Sequence, residues 1–465
     1  MSAGPSVLRG DYTDLNGYES GTKAMGFEYA WSKNLTGLGQ IVAVADTGLD
    51  TGDTKTLLKD FVNFLAGFGH ARASGAWFDS NGHGTHVSGS ILGTGTMSSS
   101  RIRGGAYNAK LVMQGLMDDD GSFNLPSVKT LLDQAYERGA RIHSNSWGSD
   151  NTSYDTRAVE FDEYVWNHPD FLIVFAAGNE GVDADENGKV DSGSVGSPGL
   201  AKNVLTIGAS ENLVAAGGIQ KLYGEDRRAR WPADPIASDK FSDNLSGIAA
   251  FSSRGPTEDG RRKPNLVAPG TNILSTRSQM PEASLLWGGY SQHYVFCGGT
   301  SMSTPLASGA AAVVRQYLVE SRAQANPSAA LVKATLMHTA YDLFPGQYGL
   351  GTAQEIPNPR PNNEEGYGRV DVAKAVNSGL RMVDEKFGVS TGERKNISLT
   401  LGVGATLNAT LVYTDAPGLV SAAKALVNDL DLVLITPSGQ EVIVGDRLNN
   451  DETLNYIVKE NGSYT

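Results

Sequence analysis

The chain has 465 residues, of which 40% are hydrophobic and 19% are charged. It is therefore long enough for two or three domains and too apolar to be intrinsically disordered. The formal net charge of −13 disfavours binding to the phosphate backbone of nucleic acids. The only cysteine is Cys297, which excludes an intramolecular disulfide, and no apolar run is long enough to predict a membrane span.

Apolar runs alternate with amphipathic segments through the first two-thirds of the chain. This order predicts an α/β fold with a mostly parallel central sheet covered by helices on both faces. The predicted strands are 41–45, 111–113, 141–143, 171–177 and 204–209. The predicted helices are 85–92, 125–138, 156–167 and 304–322.

The pattern changes after about residue 378, where helical periodicity stops. Alternating or β-branched segments follow at 397–401, 407–413, 430–435 and 441–444, with Gly, Pro and Asn between them. We therefore predict two domains, an α/β domain over 1–378 and a small all-β domain, a jelly roll or barrel, over 379–465. The charged segment 226–230, with the sequence DRRAR, is predicted to be a solvated loop.

Three short motifs place reactive side chains at the ends of predicted elements. Asp46 follows the first strand in VADTG, and His83 lies in NGHGTHVSG at the start of a helix. Ser301 lies in GGTSMSTP, just before a long apolar helix. The carboxyl ends of parallel strands form a crevice, and a helix N-terminus offers free N–H groups to an anion. The pattern therefore predicts nucleophilic catalysis by an Asp, a His and a Ser.

The chain order Asp, His, Ser and the fourth motif FAAGNEG are similar to those of the subtilisin-like serine proteases. This resemblance implies a three-layer subtilisin-like fold and a serine endopeptidase that acts through an acyl-enzyme. Ser301 would be the nucleophile, His83 the general base and acid, and Asp46 the group that orients the imidazole. Asn179 of FAAGNEG would donate to the oxyanion together with the backbone N–H of Ser301.

The resemblance also implies a primary specificity pocket with two backbone walls. These walls are Ser146, Trp147 and Gly148 on one side and Ala176, Ala177 and Gly178 on the other. Walls made of small residues favour broad specificity, with an apolar or aromatic side chain before the scissile bond. The acidic run 118–120 leaves two alternatives open, a subsite for basic side chains or a solvated turn.

One branch of the family matches especially well, the oxidatively stable alkaline proteases of bacilli that carry a C-terminal β-barrel. The segments HSNSWG, FSSRGP, KPNLVAPG, LVYTDAP and LVNDLDL carry this resemblance. It implies at least one further strand beyond the final residue of this sequence, Thr465. It also implies a propeptide in a longer precursor and a secreted mature form, although a cytoplasmic protein stays possible. We further expect a monomer that acts on protein or peptide substrates.

Two segments carry the oxygen ligands that calcium prefers, and we expect structural calcium there. The first matches D-x-D-x-N-G-x-x-D, with Asp183, Asp185, Asn187 and Asp191 as candidate ligands; an Asx-rich turn is the alternative. The second combines Asp429 and Asp431, which would share one face of a strand, with Asp415.

Three other functions compete with a broad endopeptidase. A processing protease selective for basic residues would use the acidic run 118–120, and a binding or adhesion protein would carry an inert protease fold. The intact catalytic motifs disfavour the binding protein. A lipase or esterase is disfavoured because no G-x-S-x-G motif occurs in the chain.

Overall fold

A computed structural model describes residues 18–384, 388–420, 422–444 and 449–465. The helices are α1 Phe27–Ser32, α2 His83–Leu92, α3 Val128–Glu137, α4 Thr156–Asn167, α5 Tyr223–Arg227, α6 Thr300–Ser321, α7 Ala329–Thr339 and α8 Val372–Ala375. No helix among these described residues is long and apolar enough to cross a membrane.

Sixteen strands and four short 3₁₀ helices complete the described secondary structure, the latter at Lys23–Met25, Lys59–Phe61, Thr96–Ser98 and Ile236–Ser238. In the first two-thirds the strands are β1 Ile41–Asp46, β2 Phe64–Gly69, β3 Lys110–Gly115, β4 Ile142–Asn145, β5 Leu172–Ala176, β6 Leu205–Ser210, β7 Leu266–Pro269, β8 Ile273–Thr276, β9 Gly288–Gly289 and β10 Tyr294–Cys297. The C-terminal strands are β11 Leu399–Leu401, β12 Thr406–Val412, β13 Leu432–Ile435, β14 Glu441–Val444, β15 Asp451–Ile457 and β16 Gly462–Tyr464.

A seven-stranded parallel sheet forms the centre of the fold, in the order β2-β3-β1-β4-β5-β6-β7. Strands β4, β5 and β6 are buried along their whole length, as expected for a sheet covered on both faces. The predicted α/β class is therefore confirmed. The two edge strands, β2 and β7, were not predicted, because β2 contains two glycines and β7 ends in a proline.

Helix α6 begins earlier than predicted, at Thr300 instead of 304, so that Ser301 lies within its first turn. The prediction placed the start next to Pro305, which the structure finds inside the helix. A proline has no N–H to donate, so the carbonyl of Ser301, four residues earlier, loses its usual helical partner. The Oγ of Ser146 donates to this carbonyl instead, at 2.9 Å.

The C-terminal strands form three antiparallel pairs, β11 with β16, β12 with β15 and β13 with β14. A small core of Leu434, Leu454, Val458 and Tyr464 lies between them. Strands β15 and β16 were not predicted from the sequence. The small all-β character of the tail agrees with the prediction, while a closed barrel and the boundary at 378/379 stay predictions.

Buried ionic contacts join the tail to the α/β body. Lys202 and Asp415 form an ion pair in which both side chains are fully buried. The backbone of Asp415 is held as well, because its N–H donates to Asn203 Oδ1 at 2.9 Å and its carbonyl accepts from Asn203 Nδ2 at 2.8 Å. A second contact places Lys333 Nζ 3.9 Å from Asp451 Oδ2. The tail therefore neutralises charges that the body buries.

We predict that Asp415→Asn destabilises the whole protein. The substitution leaves the buried Lys202 ammonium without its counter-charge, and breaking such a pair costs about 3–5 kcal/mol. Chemical unfolding followed by tryptophan fluorescence measures the change. Asp429→Asn is the matched control, because Asp429 is exposed. Equal midpoints for the two variants would show that the pair contributes nothing.

Candidate active site

The reactive side chains predicted from the sequence meet at the carboxyl edge of the parallel sheet. Asp46 is the last residue of β1, which lies between β3 and β4. His83 is the first residue of α2, and Ser301 lies in the first turn of α6. One strand end and two helix starts therefore hold the three side chains on rigid elements.

Asp46 and His83 form a short hydrogen bond, with 2.7 Å between Asp46 Oδ1 and His83 Nδ1. The Asp46 carboxylate is buried, and the same oxygen accepts from the Thr47 N–H at 2.7 Å. Burial alone would lower the pKa of His83, but the Asp46 charge and its hydrogen bond outweigh burial and raise it above 6.5. The bond also fixes the ring, so that Nε2 faces away from Asp46.

A second buried carboxylate, Asp79, was missed by the sequence analysis. Its Oδ1 accepts from the Thr47 hydroxyl at 2.8 Å and from the Gly82 N–H at 2.8 Å. Its Oδ2 accepts from the hydroxyl and the N–H of Thr85, at 2.6 and 2.8 Å. Asp79 therefore ties the turn after β1 to the start of α2, and its charge also raises the pKa of His83.

The glycines that flank His83 serve the backbone. Gly82 has a φ of 99°, in the left-handed region that favours glycine. A Cβ on Gly84 would lie 2.3 Å from the carbonyl oxygen of Gly48. Gly84 therefore lets α2 approach the turn after β1 closely.

The Ser301 hydroxyl donates to the carbonyl of Ser146 at 3.0 Å. Together with the bond from Ser146 Oγ to the Ser301 carbonyl, this makes a reciprocal pair between the two residues. Among the described contacts, no hydrogen bond joins Ser301 Oγ to His83. Catalytic hydrogen bonds of this kind are often formed only once substrate is bound.

Asn179 lies beside the start of α6. Its Oδ1 accepts from the N–H and the hydroxyl of Thr300, at 2.9 and 3.1 Å. These bonds identify the outward-facing amide atom as Nδ2, which has no partner among the described residues. The N–H of Ser301 is likewise unused by the described contacts. The two donors lie close to each other, since a Cβ on Gly299 would be 3.6 Å from Asn179 Nδ2 and 3.7 Å from the Ser301 nitrogen.

The segment 196–197 is hydrogen-bonded to the two predicted pocket walls or to a residue next to them. Gly196 N–H donates to the Ala177 carbonyl at 3.2 Å, and Ser149 N–H donates to the Ser197 carbonyl at 2.8 Å. The wall residues pack tightly. A Cβ on Gly148 would lie 3.1 Å from the Ser197 carbonyl oxygen, and one on Gly178 would lie 2.8 Å from Ser253 Oγ.

Not every predicted wall residue offers its side chain to a ligand. The indole of Trp147 donates to the Ala45 carbonyl at 3.0 Å and packs edge-on against Phe175. Ala176 and Ala177 are buried at the end of β5 and just after it. These residues therefore shape the walls through their backbone.

The acidic run 118–120 forms a self-contained turn. Asp118 accepts from the backbone N–H groups of Asp120 and Ser122 and from Asn124 Nδ2. The buried guanidinium of Arg72 contacts Asp119 at 2.6 Å. Two of the three carboxylates are therefore satisfied within the protein, which favours the solvated turn over a subsite for basic side chains.

The loop from Asp183 to Asp191 closes on itself through its own backbone. Asp183 accepts from the N–H groups of Asn187 and Gly188, and Asp191 accepts from the N–H of Ala184. Asp185 accepts from Asn187 Nδ2 at 2.8 Å. Burial, followed by the charges of Asp185 and Asp191, raises the pKa of Asp183. The loop thus brings like charges near one another and satisfies them with its own N–H groups.

The tail carboxylates are placed differently from one another. Asp415 is buried against Lys202, whereas Asp429 and Asp431 are exposed. Within the described ranges, no three His, Cys, Asp or Glu side chains are grouped so that they could hold a metal ion. The Asp415 carboxylate pairs with the Lys202 ammonium, and calcium at the tail carboxylates stays a prediction.

Comparison with known proteins agrees with this geometry. Residues 37–368 match the profile of the Subtilase family. The serine protease/ABC transporter B family protein tagA of Dictyostelium discoideum is 27% identical over 92% of this chain and 29% of its own length. Serine protease AprX of Bacillus subtilis is 30% identical over 61% of this chain and 58% of its own. Subtilisin Savinase of Lederbergia lenta is 28% identical over 62% of this chain and 80% of its own.

The fold has relatives among solved structures. The prenylagaramide maturation protease PagA superposes with a TM-score of 0.50 and 20% identity, over 76% of this chain and 97% of its own. At this identity the likeness supports the fold alone. The chain spans under a third of the length of the Dictyostelium relatives. Because the family profile covers more than half of the chain, the protein belongs to the Subtilase family.

Proposed function

We propose that this protein is a serine endopeptidase that cleaves peptide bonds through Asp46, His83 and Ser301. The observation that carries the proposal is the 2.7 Å bond between His83 and the buried Asp46, beside the helix start that holds Ser301. A buried carboxylate on Nδ1 leaves Nε2 as the basic nitrogen, which the reaction requires.

In the proposed reaction, substrate binding turns the Ser301 hydroxyl from the Ser146 carbonyl towards His83 Nε2. His83 takes the hydroxyl proton as Oγ attacks the scissile carbonyl carbon, and Asp46 stabilises the imidazolium. The oxyanion accepts from Asn179 Nδ2 and from the Ser301 N–H. His83 then gives its proton to the leaving amine, and a water molecule releases the acyl group by the same steps in reverse.

We further propose broad specificity with an apolar or aromatic residue before the scissile bond. Support comes from pocket walls of Ala and Gly backbone and from the Arg72–Asp119 pair, which removes one charge from the acidic run. The processing protease selective for basic residues is the rival reading. Secretion, maturation from a propeptide and a monomeric state are proposals carried by the resemblance.

Substrate cleavage by Ser301 variants tests the proposed nucleophile. The wild type should hydrolyse casein and cleave a peptide with phenylalanine before the scissile bond faster than a matched peptide with arginine there. Ser301→Ala should abolish all three activities, and a serine-directed fluorophosphonate should label the wild type only. Undiminished hydrolysis by the folded Ser301→Ala variant would contradict the assignment, and a preference for arginine would establish the processing protease.

The second prediction concerns pH. His83 must be neutral to accept the proton, so kcat/KM should fall as the pH drops through its raised pKa. In Asp46→Asn the carboxylate charge that raises this pKa is gone, so the acid limb should move to lower pH. Turnover should also fall by about 10⁴-fold, because the imidazole tautomer is no longer fixed. An acid limb at an unchanged pH would exclude His83 as the titrating base.

We also propose that the loop Asp183–Asp191 binds calcium. Support comes from the D-x-D-x-N-G pattern and from the repulsion of Asp185 and Asp191 on Asp183. Added calcium should raise the melting temperature of the chelated wild type, because the ion binds the folded state preferentially. It should raise that of Asp185→Asn much less. The same calcium response in both proteins would contradict the loop as the site.

A further inference from the structure

One residue of the segment 226–230, which was predicted to be a solvated loop, contacts the candidate active site. Helix α5 ends at Arg227, and three residues later the Arg230 side chain turns inward and is only 22% exposed. Its Nη2 donates to the carbonyl of Asn179 at 2.6 Å and to that of Gly181 at 3.0 Å. The prediction agrees with the exposed residues 227–229 and is wrong for Arg230, which nothing local distinguishes from the two other arginines of the run.

The turn 178–181 is held from two sides. On one side the segment 251–253 accepts hydrogen bonds from the N–H groups of the turn. Glu180 N donates to Ser253 Oγ at 3.1 Å, and Gly181 N donates to the Phe251 carbonyl at 2.9 Å. On the other side Arg230 satisfies the two carbonyls. Without the guanidinium, the carbonyls of half-buried Asn179 and buried Gly181 would both lose a donor, and buried polar groups are costly to leave unpaired.

Arg230 itself stands on a rigid base. Its guanidinium carbon lies 5.1 Å from the centre of the Trp231 ring, and Trp231 is buried against Tyr223 at 4.9 Å. The backbone carbonyl of Arg230 accepts from the Asp183 N–H at 2.9 Å. The guanidinium that binds the turn 178–181 is therefore itself held in place by a packed aromatic cluster.

We propose that Arg230 is a positioning residue that aims the Asn179 amide at the oxyanion. This inference rests on the proposed function. Thr300 fixes the side-chain end of Asn179 through Oδ1, and Arg230 fixes its backbone end. The direction of Nδ2 depends on both ends, so losing the backbone clamp misaligns a donor that matters only in the transition state.

The test is turnover per active site, with active sites counted by fluorophosphonate titration. Arg230→Ala should lower kcat by about tenfold and leave KM within about twofold, because the donor acts on the transition state and not on bound substrate. Arg230→Lys keeps a charged donor but loses the forked geometry of the guanidinium, so its kcat should lie between those of the wild type and Arg230→Ala. It replaces Arg230→Ala as the test if that variant does not fold. Arg227→Ala is the matched control, because the Arg227 side chain is 64% exposed and its guanidinium pairs with the neighbouring Asp226 at 3.7 Å.

A double-mutant cycle separates positioning from general support of the fold. In the Asn179→Ala background, where the amide is absent, Arg230→Ala should change kcat by less than about twofold. The same tenfold loss in both backgrounds, or an unchanged kcat in the single Arg230→Ala variant, would overturn the proposal. If Asn179→Ala alone leaves kcat unchanged, the oxyanion assignment in the proposed function fails and this inference fails with it. A loss in Asn179→Ala without one in Arg230→Ala overturns the inference alone.

Discussion

The relation between Asp46 and His83 depends on the buried carboxylate of Asp79. Asp46 belongs to a strand and His83 to a helix, so their short bond requires that the two elements keep a fixed distance. Asp79 fixes it by accepting from Thr47 on one side and from Gly82 and Thr85 on the other. Burial raises the pKa of Asp79, and its hydrogen bonds oppose that rise by stabilising the charged form.

A comparable constraint governs Ser301, the proposed nucleophile. Pro305 removes one hydrogen bond from the first turn of α6, and the freed carbonyl of Ser301 is satisfied by Ser146 from the opposite wall of the pocket. The wall and the helix start are thereby coupled through one side chain. The reactive serine is held at both its carbonyl and its hydroxyl by the same neighbour.

Much of this arrangement follows from local sequence. Buried parallel strands are continuous apolar runs, so β1 and β5 were predicted almost to the residue, and the helix α4 was predicted with its observed bounds. The motifs around Asp46, His83 and Ser301 lie at element ends, which periodicity located to within about four residues. Their convergence then follows from the geometry of a parallel sheet.

The contacts that sequence reasoning missed are long-range. Arg230 contacts Asn179 from 51 positions away, and Lys202 pairs with Asp415 from 213 positions away. A carboxylate in a polar segment gives no local sign of whether its partner is a cation from solvent or a lysine from the other end of the chain. For Asp79 the sequence did hold a weak local signal, because this aspartate lies four residues before His83 in a turn-forming segment.

The Lys202–Asp415 pair bears on how the two regions can be exchanged. The change in hydrophobic pattern predicts a boundary between them near residue 378, yet Lys202 of one region and Asp415 of the other are buried as a pair. The tail therefore cannot readily be replaced by an unrelated β domain, because the α/β region would then bury Lys202 without a counter-charge. The two regions are therefore expected to diverge together, with a substitution on one side of the pair tolerated only after a matching change on the other.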